Sequence, residues 1–331
     1  MDKKGEGEQF NWIFVIVAGA IILGFFVLFT FKYIELQEKR QDVDTVRFFG
    51  SRVLSASANL QVGSGGAAVD SDENNGLRFG YNVELGSLCR ANESTILVNK
   101  GSTAWYKLND EIVFMNKDMK VSALDLWILP WYFPFHITNF LYLADPKTNF
   151  YFVYDQSTKD IVDNLGVSGV FKVQETDVSQ LNIKSNSKVV YFLSSEPSVM
   201  NVKNIKKNIS NVDFVYIDLT SKSASFFLEN TWSSPTKFYT TQDNKGQLYG
   251  AIFSNDADNF GCNVNRSLSR VQYVSGIYSD RARLLGQLDR SSSCHYNEIA
   301  MSLDQFSKGN INLVDSLNAQ NLQGAGCIWT Y

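Results

Sequence analysis

The polar residues with the clearest chemical potential follow two predicted β-strands near the middle of the chain. Ser194, Ser195 and Glu196 follow the run VVYFL, and Asp218 lies at the end of the run FVYIDL. A helix-like segment at 201–209 separates the runs, so the order predicts a β-α-β unit with parallel strands. Ligands collect at the carboxyl ends of such strands. These groups therefore predict a polar binding site or, alternatively, a hydrolase or transferase site, although the same residue types also form ordinary turns.

An aromatic segment at residues 124–145 is the second candidate binding region. Trp127, Trp131 and Tyr132 are the side chains that would form a shelf for a sugar or a peptide, or would lie on a bilayer surface. Two prolines interrupt the segment, so it is neither a second membrane span nor a regular helix. The alternative interpretation is a buried strand followed by an irregular loop.

The four cysteines suggest a disulfide framework. Cys262 and Cys294 flank a predicted helix at 266–289, about 36 Å long, which is too long for these two residues to bond. In an antiparallel helical hairpin the chain returns towards Cys262, so the predicted bonds are Cys262–Cys327 and Cys89–Cys294. Bonded cysteines imply an oxidising compartment. Four separate buried thiols are the alternative.

Signatures of common enzyme and metal sites are missing from the sequence. It contains no G-x-S-x-G, H-E-x-x-H or G-x-G-x-x-G motif and no C-x-x-C pair. The two histidines, His136 and His295, are too few for a typical zinc site, and Cys294 cannot face its helical neighbour His295. A net charge of −4 provides no basic field for nucleic acid. We therefore expect no metal, no cofactor and no nucleic-acid partner, and binding or assembly rather than catalysis.

A run of 20 residues without a charged side chain, Trp12–Phe31, lies near the N-terminus. As a helix it would be about 30 Å long, which matches the hydrocarbon core of a bilayer. The run is longer than the apolar region of a signal peptide, and no good cleavage site follows it. It therefore predicts a permanent single span in the cell membrane.

The orientation of this span is open from the sequence. Lys32, Lys39, Arg40 and Arg47 follow the span and favour a cytoplasmic head, but long domains translocate largely regardless of charge. The predicted disulfides favour an extracytoplasmic head, and this is the location that we predict. The expected partners are the lipid bilayer and other membrane or surface proteins. Pairing of the anchor and stalk would also allow a homo-oligomer.

The remaining elements predict an α+β or α/β fold with a mixed, β-rich head. Short runs rich in Val, Ile, Phe and Tyr alternate with polar turns in the middle of the chain, and apolar residues near heptad spacing follow. The predicted organisation is a polar tail at 1–11, a transmembrane helix at 12–31, a juxtamembrane helical stalk at 32–62, a flexible linker at 63–76, a mixed α/β head at 77–260 and a disulfide-closed antiparallel helical hairpin at 261–331.

Both ends of the chain resemble uncharacterised single-pass membrane proteins of small-genome archaea. The tail LVDSLNAQNLQGAGCIWTY, which contains Cys327 and ends at Tyr331, carries part of this resemblance. The resemblance implies a membrane-anchored archaeal protein and nothing about its activity. At the N-terminus it is carried by Gln9, Phe10, Asn11, Trp12, Ile13, Phe14, Val15, Ala18 and Gly19.

The outline of an apolar first helix and a disulfide-closed head also resembles type IV pilin-like subunits. A filament subunit is therefore a further alternative. The chain departs from that pattern, because the fifth residue after cleavage at Gly5 or Gly7 would be Phe10 or Trp12 instead of the Glu that such subunits use.

Overall fold

The computed structural model has a long N-terminal helix, a body with two β-sheets and two C-terminal helices, so the fold is mixed α and β. The structure describes residues 5–58, 67–69, 77–90, 93–99, 104–108, 111–159, 162, 183–228, 230–240, 245–288, 294–314 and 316–317. Most of the predicted linker and the C-terminal tail, including Cys327, lie outside the described residues.

The first helix, α1 (Gly5–Ala58), is 54 residues long and continuous. It is long and apolar enough to cross a membrane, with a mean hydropathy of 2.9 in its most apolar window. That window is 0% buried against the rest of the described protein. Because a core helix of a soluble protein would be covered, this exposure favours a membrane anchor or a signal sequence.

The C-terminal part of α1 packs into the head. Val53 and Phe49 are buried, and the Phe49 ring lies 5.5 Å from the Tyr106 ring in edge-to-face contact. Asp42 accepts a 2.5 Å hydrogen bond from the Asn99 side chain. The residues from Asp42 to Val53 are therefore part of the head, whereas the sequence predicts a stalk over this range.

A seven-stranded sheet receives this part of α1. Its strand order is β4-β3-β2-β6-β7-β5, and β1 also pairs with β6. The strand β1 falls within the predicted linker and pairs with Leu126–Ile128. The strands are β1 (Ala67–Val69), β2 (Leu77–Arg90), β3 (Glu93–Val98), β4 (Ala104–Leu108), β5 (Ile112–Phe114), β6 (Asp118–Tyr132) and β7 (His136–Ala144).

A second, six-stranded sheet has the order β12-β11-β10-β9-β8, with β13 paired to β11. Its strands β8, β9 and β10 are parallel, and α2 connects β9 to β10, so the predicted β-α-β unit is confirmed. The elements are β8 (Asn149–Tyr154), β9 (Ser187–Phe192), α2 (Val199–Asn208), β10 (Val212–Asp218), β11 (Ser223–Leu228), β12 (Thr231–Trp232) and β13 (Thr236–Lys237).

Three hydrophobic cores pack against the faces of the two sheets. One lies between α1 and the first sheet, and another lies between α2 and the second sheet. The largest lies between the sheets and includes α3 (Gly246–Phe253), α4 (Ala257–Leu288) and α5 (Tyr296–Ser307). The helix α3 fits there because Gly250 lies against Phe114, where an added Cβ would be only 2.7 Å from the ring. Because each sheet is covered on both faces, most strands read as continuous apolar runs.

The C-terminal helices α4 and α5 run antiparallel, since Gly286 near the end of α4 lies beside Asn297 at the start of α5, and Gln272 lies beside Gly309 just after α5. Ser279 of α4 donates a 2.9 Å hydrogen bond to the carbonyl of Ala300, and Arg283 lies 3.5 Å from Asp304. The helix α5 ends at a Schellman turn, in which Gly309 has a φ of +97° and Asn310 N donates to the Gln305 carbonyl. Glycine adopts this positive φ more readily than other residues, which allows α5 to end at Ser307.

The disulfide pairing predicted from the sequence is wrong. Cys89 of β2 bonds to Cys262 of α4, with the two Cα atoms 6.0 Å apart, so neither Cys262–Cys327 nor Cys89–Cys294 forms. The error arose because α4 begins at Ala257, which places Cys262 inside the helix instead of before it. Cys294 is also disulfide-bonded.

Candidate functional site

The carboxyl ends of β8, β9 and β10 bring the first predicted site together, but their polar groups serve the backbone. Asp155 follows β8 and accepts hydrogen bonds from the amides of Ser157, Thr158 and Ser194, at 3.0, 3.1 and 2.9 Å. Hydrogen bonds from Ser157 and Ser194 hold the pKa of Asp155 well below its usual range. The carboxylate of Asp155 thus closes one turn and joins it to the loop after β9.

Asp218 makes a similar turn at the end of β10. Its carboxylate accepts the amide of Thr220 at 2.8 Å and the hydroxyl of Ser221 at 2.7 Å. Burial raises the pKa of Asp218, but these hydrogen bonds outweigh that effect and leave the pKa lower than usual. Asp218 is therefore occupied in shaping its own loop.

The three acidic residues at this end act together on one tyrosine. The pKa of Tyr216 is raised first by burial and then by the charges of Asp218, Glu196 and Asp155. The predicted residues Ser194, Ser195 and Glu196 are all exposed. The sequence thus placed these groups at the correct end of the sheet, but it missed Asp155, which organises them.

The predicted aromatic shelf is not a shared surface. Trp131 is fully buried and stacks on Phe133 and Phe140, at 5.4 and 5.0 Å. Trp127 is partly buried against Tyr142 and neighbouring rings of the central core, whereas Tyr132 is exposed. Because both faces of β6 are covered, its alternate side chains fill two cores and are not displayed to a ligand.

A polar cleft lies at the opposite, amino ends of the same parallel strands. It has a volume of about 350 Å³ and runs between the two sheets. It is lined by residues from the β5–β6, β7–β8 and α3–α4 connections, from the start of β6, and from the residues at or just before the starts of β9 and β10. The lining residues are Asn116, Asp118, Met119, Lys120, Asp145, Thr148, Asn186, Ser187, Asn211, Asp213 and Asn255.

Asn255 holds the walls of this cleft together. Its side chain accepts a 2.8 Å hydrogen bond from the amide of Lys117 and donates a 3.2 Å bond to the carboxylate of Asp213. Lys117 lies in the β5–β6 connection of the seven-stranded sheet, and Asp213 lies in β10 of the six-stranded sheet. A single side chain therefore bridges the two sheets, and the walls of the cleft are fixed before a ligand arrives.

Two asparagines shape the floor of the cleft from the turns before β9 and β10. Asn186 and Asn211 have φ values of +57° and +55°, which asparagine tolerates better than most residues. The carbonyl of Asn186 accepts the amide of Asn149, and that of Asn211 accepts the amide of Ser187. Backbone hydrogen bonds of this kind leave the side chains available to line the cleft.

Lys188 is buried directly behind the cleft. It is paired in register with Asp213 on β10, and its Nζ donates a hydrogen bond to the carbonyl of Ser254. Burial lowers the pKa of Lys188 to about 7, and the neighbouring Asp213 opposes that shift. A lysine that is only 2% exposed thus supports the carboxylate that lines the cleft.

Metal and thiol chemistry find little support among the residues that the structure describes. Within them, no group of three or more His, Cys, Asp or Glu side chains is placed to hold a metal ion. Cys294 is disulfide-bonded, so it offers no thiol to the adjacent His295. His295 instead lies 3.4 Å from Glu298, and His136 hydrogen-bonds Asn139 at 3.1 Å.

Comparison with known proteins assigns no relative: no family model, curated protein or solved structure matches the chain. The candidate site therefore depends on geometry alone. The cleft was missed from the sequence because most of its residues are the Asn, Asp, Ser and Thr that ordinary turns also use. The signal that remains is the repeated Asn at the residue before a strand, at Asn186 and Asn211.

Proposed function

We propose that this protein is a single-pass membrane protein whose extracytoplasmic head binds other molecules or assembles with them at the cell surface. The observation that carries this proposal is the exposure of α1. Large apolar side chains from Trp12 to Leu36 are at least 45% exposed, and the same helix continues into the buried core of the head. Lipid is the solvent that would cover such a surface.

The continuity of α1 supports a permanent anchor over a cleaved signal. Residues from Asp42 to Val53 are already part of the head, so the helix that contacts lipid and the helix that contacts the first sheet are one element. An anchor of this kind holds the head at a defined orientation to the membrane. Intact mass should therefore include Met1, and alkaline carbonate should not release the protein from membranes.

The disulfides support the extracytoplasmic side. The Cys89–Cys262 bond links residues 173 positions apart, and Cys294 is bonded as well. Such bonds persist in oxidising compartments and are rare in the cytosol. The alternative orientation, with a cytoplasmic head, would expose them to cellular reductants.

Protease treatment of intact cells tests this orientation. Protease with reductant should degrade the head in intact cells, while a cytoplasmic marker survives. Thiol alkylation before lysis should leave Cys89, Cys262 and Cys294 unmodified unless reductant is added. Protection of the head until the cells are lysed, or alkylation without reductant, would place the head in the cytoplasm and overturn the proposal.

The polar cleft is the part of the head best suited to binding. Its volume of about 350 Å³ falls within the usual range of small-molecule pockets, and Asn255 fixes its walls. The hydrolase or transferase alternative has weaker support, because Asp155 and Asp218 spend their oxygens on turn hydrogen bonds. The hydrolase or transferase alternative predicts a catalytic activity of the head that the Asp218→Ala variant lacks.

Two small residues on the exposed part of α1 support the proposed homo-oligomer. Ala20 and Gly24 lie one turn apart on the exposed part of α1, and a Cβ added at Gly24 would meet no atom of the described residues within 4 Å. Crosslinking in membranes should trap a dimer that Gly24→Leu weakens.

A pilin-like filament subunit would instead lose its first residues to a peptidase, which intact mass would reveal.

A further inference from the structure

The lining of the cleft carries more negative than positive charge. Asp118, Asp145 and Asp213 contribute three carboxylates, whereas Lys120 is the one basic side chain among the described lining residues. The Lys120 Nζ lies 3.8 Å from Glu84, which partly offsets its charge. Asp213 lies opposite the buried Lys188 on the neighbouring strand, and the two groups attract each other while Lys188 holds its proton. The excess of the other two carboxylates favours a cationic ligand.

The lining of the cleft also contains a hydrogen-bond acceptor without a donor. Within the part of the chain that the structure describes, the buried Oδ1 of Asn116 in the cleft wall has no hydrogen-bond partner. Leaving a buried acceptor without a donor costs free energy. A ligand that brings several N–H donors would relieve this cost as well as the charge.

We propose that this cleft binds a primary ammonium group on an alkyl chain. An ammonium group supplies one positive charge and three donors, and Met119 in the lining offers apolar contact for the attached chain. A divalent metal fits less well, because the described residues place no three acidic or histidine ligands together. The inference deepens the proposed function, on which it rests, by naming the ligand class of the head.

Two sources would provide such a group: a small polyamine, or a lysine side chain of a protein partner. Isothermal titration of the full-length protein in detergent distinguishes them, with spermidine and an N-terminally acetylated lysine peptide as probes. Binding of spermidine alone indicates a small amine, and tighter binding of the peptide indicates a protein partner. Binding of neither probe, or equal binding of uncharged 1,6-hexanediol, would overturn the inference.

Calcium chloride provides a further discriminating probe. We expect it to compete with spermidine only through general ionic screening, as magnesium and potassium chloride do at equal ionic strength. Calcium that binds more tightly than either amine would identify a metal site and would contradict the inference.

The variant Asp118→Asn/Asp145→Asn removes two charges but keeps the side-chain shapes. It should raise the dissociation constant of the bound amine by roughly tenfold, from the loss of two favourable charge contacts. Asp280→Asn, on the exposed face of α4, is the matched control and should leave binding unchanged. Unchanged binding in the double variant would contradict the assignment of the cleft.

A variant that binds the amine more tightly gives an independent check, because loss of protein stability cannot produce tighter binding. Lys120 is exposed, so Lys120→Gln should fold and should tighten amine binding about threefold by removing this basic group from the lining. Weaker amine binding by Lys120→Gln would contradict the inference. Failure of these titrations with a protease-accessible head would reject the ligand class alone, whereas a protected head would reject the proposed function.

Discussion

The two ends of the six-stranded sheet use the same residue types in different ways. At the carboxyl end, Asp155 and Asp218 accept hydrogen bonds from nearby amides and hydroxyls. At the amino end, asparagines and aspartates line an open cleft whose walls are held by Asn255. Asp155 accepts three backbone amides, whereas Asp145 of the cleft accepts one, from Lys147, and keeps more acceptor capacity for a ligand.

The largest expected effect comes from the cross-link beside the cleft. Cys262 lies on α4, which follows Asn255, and the bond to Cys89 closes a loop with a sequence separation of 173 residues. The variant Cys89→Ser/Cys262→Ser should lower the free energy of unfolding by about 3–5 kcal/mol, since the unfolded chain regains loop entropy. Urea titration with spectroscopic detection measures the change. An unchanged urea midpoint would mean that α4 is held on the first sheet without the bond.

Lys188 makes the amino end sensitive to pH. Its pKa is about 7 in the folded protein against 10.5 when exposed, so the unfolded chain binds the additional proton between these values. The free energy of unfolding should therefore rise with pH from about 7 to about 10, by up to roughly 1.4 kcal/mol per pH unit.

Lys188→Met tests that origin. In urea titrations across this pH range, the free energy of unfolding of Lys188→Met should rise less with pH than that of the wild type, because the titrating group is gone. The control Lys206→Met, on α2, should show the same dependence on pH as the wild type. Equal slopes in the wild type and Lys188→Met would show that Lys188 keeps its proton in the folded protein.

Asp155 tests the structural role of the carboxyl end. Asp155→Ala removes the acceptor for three backbone amides and should lower the free energy of unfolding by about 1–2 kcal/mol, as loss of a helix cap does. Asp155→Asn should lose less, because it keeps one acceptor oxygen. The exposed Glu196→Gln is the control and should change stability by less than about 0.5 kcal/mol. An equal effect at both positions would contradict the contrast between Asp155 and Glu196.

The smallest expected effect on stability belongs to the rim of the cleft. Asp118→Asn/Asp145→Asn should change the free energy of unfolding by no more than about 0.5 kcal/mol. The reason is that Asp145 accepts the amide of Lys147, and the amide oxygen of the substituted side chain would still accept that bond. Thermal unfolding monitored by circular dichroism is sufficient to measure this. A large loss of stability would make the rim carboxylates structural, like those at the other end.

Local patterns predict much of this fold from the sequence. The long uncharged run indicated the apolar part of α1, and the strands around Val189 and Phe214 indicated the β-α-β unit, because each pattern lies within a single element. Burial of Trp131 was an alternative from the start, since a β-strand covered on both faces has the same composition as an aromatic surface.

The features that depend on distant residues could not be predicted. The first turns of α4 carry the buried polar residues Asn259, Asn263 and Arg266, which suggest a loop when considered alone. They are buried because they bond across to the first sheet, where Arg266 donates to the carbonyls of Leu108 and Glu111. The start of α4, the pairing of Cys262 and the cleft all depend on this packing.

The way α1 enters the head limits where the protein can be shortened. A version that begins near Lys32 loses the exposed apolar segment but keeps every turn of the helix that covers the first sheet. A version that begins after Val53 would strip that sheet of Phe49 and Val53 and leave its apolar face bare. Such a fragment should aggregate through the exposed apolar face of the sheet, so its insolubility would not be evidence that the head binds a membrane.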